Sequence, residues 1–137
     1  MKENLPTVFV RAYLAAMLAT LLLSTHTIFG QSHYFTTKHV SIGISNSGYI
    51  KSIKDKVSGK EYCPEGDSSA VLSLSKNNGY ILPASATFNA GNKQIVLHYP
   101  NGSVATVKVV QQSGYLKFEL VSLTPRNDVD NIVWGPY

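Results

Sequence analysis

Apolar and polar residues alternate repeatedly between positions 40 and 120. Val40, Ile42 and Ile44 are separated by Ser41 and Gly43, and Ile95, Leu97 and Tyr99 by Val96 and His98. Leu116, Phe118 and Leu120 alternate with Lys117 and Glu119, and residues 104–110 are rich in β-branched side chains. A strand turns successive side chains to opposite faces, so a repeat of two puts one set on a core and the other toward water. Shorter apolar runs hold Ile50 with Ile53, and Val71 with Leu72 and Leu74.

Turn chemistry punctuates these runs. Pro100-Asn101-Gly102-Ser103 separates two of the strongest, and Asn-Gly accepts the positive φ that tight hairpins need. Ser113-Gly114, Asn77-Asn78-Gly79 and Asn89-Ala90-Gly91-Asn92 mark further reversals. The pattern predicts a three-strand antiparallel meander over residues 94–123. No segment beyond residue 30 carries the i, i+3, i+4, i+7 apolar stripe of a capped helix. The predicted fold is all-β, an antiparallel sandwich of short strands.

The first thirty residues follow another logic. Lys2 and Arg11 precede an apolar run over residues 12–23, then polar residues, then Gly30. This is the order of a secretory signal peptide. The run is short of the about 20 residues that span a bilayer comfortably. Residues 1–30 are therefore predicted to be a helical signal peptide, and 31–137 a β-sandwich domain that is exported to the periplasm or the extracellular space. Retention as an N-terminal anchor is the alternative, and a protein sequenced from Gln31 rather than Met1 separates the two.

Composition narrows the function classes. Only 15% of the 137 residues are charged, against roughly 25% in an average globular protein, which excludes a disordered polyelectrolyte or a long charged helix. The net charge of +4 is scattered, so no nucleic-acid stripe is expected. One cysteine, Cys63, closes no disulfide within the chain and builds no Cys-rich zinc site. No membrane association is expected after signal cleavage.

Candidate chemistry is sparse. A glycosidase needs two carboxylates about 5–9 Å apart. The candidates Asp55, Glu61, Glu65, Asp67, Glu119, Asp128 and Asp130 lie in turns, in loops or on a strand's polar face. Glu65/Asp67 and Asp128/Asp130 are loop pairs that could hold a hard cation, although solvated turn residues are the commoner outcome. His33, His39 and His98 lack metal spacing. There is no Gly-x-Ser-x-Gly elbow and no Gly-rich phosphate loop. Asn101-Gly-Ser103 matches a glycosylation sequon, but a hairpin explains it. No catalytic residue, metal or cofactor is therefore predicted. Aromatic side chains remain: Tyr34, Tyr49, Tyr62, Tyr80, Tyr99, Tyr115, Tyr137 and Trp134 could stack on sugar rings. Trp134 and Tyr137 are the named candidates for glycan contact, because Gly135-Pro136 turns the chain out of the sheet beside them. Of the two roles for Trp134, a plug at an interface with a following domain is the favoured one, because a buried Trp is common where two layers meet.

Residues 48–62, Gly-Tyr-Ile-Lys-Ser-Ile-Lys-Asp-Lys-Val-Ser-Gly-Lys-Glu-Tyr, resemble a phrase that opens the galactose-mutarotase-like β-supersandwich domains of secreted bacterial carbohydrate-active enzymes. In that phrase a strand ends in an Asp-Lys-x-Ser-Gly turn and the chain returns antiparallel through Lys60-Glu61-Tyr62. The 130–137 segment, Asp-Asn-Ile-Val-Trp-Gly-Pro-Tyr, is similar to N-terminal β domains of such enzymes just before further strands. The resemblance implies an N-terminal accessory module of a glycoside hydrolase, with catalysis in a downstream domain and with that domain and a glycan as partners. It also implies more strands than 107 residues readily supply, and so a sandwich incomplete at residue 137. A free-standing secreted or surface binding protein is the alternative.

Overall fold

The computed structural model describes residues 32–63 and 69–135. The predicted signal peptide lies outside them, as do the Glu65/Asp67 pair and Tyr137. The described chain is all-β and holds no helix.

Three antiparallel sheets form. The first contains β1 (Ser32–Thr36), β2 (Val40–Ser45), β3 (Tyr49–Asp55) and β4 (Ser69–Ala70) in the order β1-β2-β3-β4. The second contains β7 (Ser85–Asn89), β8 (Gln94–His98), β9 (Val104–Gln111) and β10 (Leu116–Thr124) in the order β10-β9-β8-β7. The third is smaller, with β5 (Leu72–Lys76) between β11 (Asn131–Trp134) and β6 (Gly79–Ile81).

The predicted meander is β8, β9 and β10, joined in register with Ile95 opposite Val107 and Val109 opposite Phe118. The turn at residues 89–92 adds β7 to the same sheet. Alternation decides which side chains are covered: Ile95, Leu97, Ala105, Val107 and Val109 have no exposed surface. Burying one such Val, Leu or Ile stabilises by about 1.5–3 kcal/mol. The first sheet packs on this one through rings. Phe35 of β1 meets Phe118 of β10 edge-on with centroids 6.3 Å apart, and His33 stacks on Phe88 of β7 at 4.7 Å. The third sheet joins the same apolar cluster through Leu72 and Leu74. Tyr99 is buried beneath it, its hydroxyl donating to the Leu72 carbonyl at 2.9 Å, and burial pushes the phenol pKa up.

Two departures from strict alternation have one cause. Ile50 and Ile53 are three residues apart, as are Leu120 and Leu123, a spacing that a regular strand would split between faces. Each interval contains a register shift. Gly43 pairs with Ser52 but Ile44 pairs with Ile50, leaving Lys51 as the extra residue. Leu120 pairs with Val107 and Ser122 with Thr106, leaving Val121 extra and exposed. A bulge of this kind re-aims the chain by one residue, so both members of each apolar pair reach the core cluster.

Turn residues meet the backbone's demands. Asn77 and Asn78 sit at φ 49° and 63° between paired Lys76 and Gly79, which is the two-residue turn that asparagine tolerates. Gly48, at φ 83°, links β2 to β3 beneath Leu97 and Pro83, where a Cβ would press on both.

Candidate functional site

The chain passes without a loop from β4 through Val71 into β5, so one short segment serves two sheets. On one side Ala70 pairs with Tyr49 of β3. On the other, Ser73 pairs with Val133 of β11 and Leu72 with Trp134. A groove of about 440 Å³ opens where the segment changes sheets. Tyr49, Ser69, Ala70 and Ser73 line it from β3, β4 and β5, and Val133 and Trp134 from β11, with Tyr80 of β6 and the following Leu82. Tyr80 is 69% exposed, Leu82 45% and Trp134 38%.

The lining has a uniform chemistry. It contains three aromatic rings, three aliphatic side chains, and hydroxyls on Tyr49, Tyr80, Ser69 and Ser73. Hydroxyls both donate and accept, and the indole N–H of Trp134 donates. Among the described residues that line it, none carries a charge.

Two devices hold β11 in place. Its leading loop is tied to the β5–β6 turn: Asp128 forms an ion pair with Lys76, and the Asp130 carboxylate accepts from the Asn77 amide at 2.8 Å. The Asp130 amide donates to the Ser75 carbonyl, also at 2.8 Å. The Asp128/Asp130 pair thus serves as a strand clamp. Among the described residues no group of three metal-ligating side chains is present. The second device is Gly135. Its amide donates to the Val71 carbonyl at 3.4 Å, and a Cβ at this position would collide with the Ala70 carbonyl oxygen. Only glycine lets the chain cross β4 so closely after Trp134.

The two carboxylates of the 48–62 segment also act on backbone. Asp55 accepts from the Val57 amide at 2.8 Å and the Ser58 hydroxyl at 2.6 Å. Glu61 accepts from the Ser52 hydroxyl at 2.6 Å and from the amides of Ile53, Tyr62 and Cys63 at 2.7, 3.1 and 3.0 Å. The Ser58 hydroxyl foremost holds the Asp55 pKa below its usual range, and the Ser52 hydroxyl does the same for Glu61. A carboxyl held ionised in this way is a poor proton donor near neutral pH. The return through Lys60-Glu61-Tyr62 takes the form of a single bridge between Lys54 and Glu61, beside an Asp55 to Lys60 backbone bond of 2.9 Å. Cys63 is half-buried, its thiol donating to the Ile50 carbonyl at 3.9 Å.

Of the aromatic candidates, Trp134, Tyr80 and Tyr49 come together, and Tyr99 belongs to the core. Tyr34 lies across Gly43, Tyr62 sits under the Lys60 ammonium at 4.7 Å, and Tyr115 is exposed elsewhere. Asn101 uses its side-chain oxygen to accept from the Ser103 amide at 3.2 Å while its Nδ2 is buried, in accord with the turn explanation of the sequon. Ser69, Ser73, Leu82 and Val133 carry no sequence signal of a site, because only pairing across the third sheet brings them together. Comparison with protein-family models, curated proteins and solved structures finds no match to this chain.

Proposed function

We propose that this chain is a non-catalytic β-sandwich module of an exported carbohydrate-active enzyme, supporting a downstream catalytic domain and holding glycan in the Trp134 groove. The carrying observation is the convergence of Trp134, Tyr80 and Tyr49 in a groove whose lining side chains carry hydroxyls and an indole N–H but no charge. A sugar ring offers an apolar C–H face to such rings and hydroxyls to such partners. The resemblance of residues 48–62 supports the carbohydrate-active setting. Among the described residues a binding role is favoured over hydrolysis, because Asp55, Glu61, Asp128 and Asp130 are engaged in turns and strand clamps and Glu119 pairs with Lys117.

Electrophoresis of the full chain through gels containing neutral polysaccharides tests the reading. The protein is expected to be retarded by at least one of them, while Trp134→Ala and Tyr80→Ala run freely and keep melting temperatures within a few degrees of the parent. Unretarded migration through a broad polysaccharide panel overturns the proposal. So does retardation that both variants retain.

A further inference from the structure

We infer that the groove selects uncharged sugar residues and discriminates against uronates and sulfated sugars; this rests on the glycan-binding reading above. A site for an anionic sugar supplies a counter-charge, commonly the planar fork of Arg or the point charge of Lys. Ten of the chain's twelve Lys and Arg residues lie among the described residues, and none of these ten lines the groove. On the third sheet Lys76 is engaged by Asp128, and at the head of β11 Asp130 is engaged by the Asn77 amide. A carboxylate set among Trp134, Leu82 and Val133 would shed water without gaining an ionic partner, which is unfavourable. A neutral ring meets no such penalty, since its hydroxyls exchange water for groups that donate and accept in the same way.

Recognition without charge has a second consequence. Salt screens ionic attraction but leaves ring stacking and neutral hydrogen bonds largely untouched, so the affinity should hold as ionic strength rises.

The full chain contains one tryptophan, and it lies in the groove, so intrinsic fluorescence reads the site directly. Titration compares matched probes: cello-oligosaccharide with its C6-oxidised cellouronate, fully methyl-esterified oligogalacturonate with its de-esterified form, and β-1,4-mannan oligomers with β-1,4-oligomannuronate. In each pair that binds, the neutral member should bind at least tenfold more tightly. Its Kd should change less than twofold between 0.05 and 0.5 M NaCl. Leu82→Lys, at a position already exposed, should raise uronate affinity at low salt. Equal or tighter uronate binding by the parent, or a Leu82→Lys variant that leaves uronate affinity unchanged, overturns the selectivity while leaving glycan binding intact. Silence of Trp134 toward all six probes overturns the glycan reading itself, and the selectivity with it.

Discussion

The β7–β10 sheet and the β5–β6–β11 sheet are built in opposite ways. The first joins strands consecutive in the chain, and its inward residues are closed off completely, as at Ile95, Leu97 and Val107. The second inserts a late strand, β11, beside an earlier hairpin and leaves Tyr80, Ile132 and Trp134 partly in water. Local pairing closes the inward face of the first sheet, while in the second Leu72 and Leu74 are buried but the side chains beside the late strand stay partly exposed. The groove therefore forms where the less local of these two sheets meets β3 and β4, and its geometry depends on a few contacts that span the chain.

The largest expected effect comes from breaking the meander side. Leu97→Ala removes a wholly buried side chain that also supports Gly48. It should cost about 2–5 kcal/mol, read as a lower denaturation midpoint. Any glycan affinity of the remaining folded protein should be unchanged. A cost well under 1 kcal/mol would show that the two sheets do not differ in the way described.

Gly135→Ala attacks the other side. The new methyl must displace either β11 or the Ala70 carbonyl, so Trp134 should shift its emission maximum, and any glycan affinity of the parent should fall at least tenfold. Amide exchange in β8 and β9 should stay as slow as in the parent. Unaltered emission and affinity would remove Gly135 as a positioning residue.

The pH dependence is smaller. The Glu61 carboxyl has its pKa lowered on folding, first by the Ser52 hydroxyl and then by backbone amides. Its contribution is therefore present above the unfolded-state value of about 4.3 and is lost as pH falls through the lower folded-state value. Acid titration of stability should show this decline, and Glu61→Gln should flatten it. Identical acid limbs for the two proteins would rule out Glu61 as its source. The group is exposed, so solvent keeps the effect modest.

The smallest effect is expected at the clamp. The Lys76–Asp128 side chains are 39% and 54% exposed, and Lys76→Met should cost less than about 1 kcal/mol. A larger loss, measured by denaturant titration, would mean that this pair rather than Gly135 governs how β11 docks.

The sequence made the all-β class and the meander legible because both are written in nearest neighbours. A period of two sorts Ile95, Leu97 and Val107 inward, and Asn-Gly chemistry reverses the chain between them. Trp134 could be singled out as a large ring beside a chain exit, but its surroundings could not. Ile50 with Ile53, and Leu120 with Leu123, have a spacing that makes sense only once the partner strand shows where the bulge falls. The groove is further still from local rules. It exists because residues 131–134 pair with residues 72–75, across a separation such as the 53 positions between Asn77 and Asp130. Periodicity decides which face of a strand is apolar. Which strands then lie side by side, and what surface they leave open, follows from packing and loop closure over the whole chain.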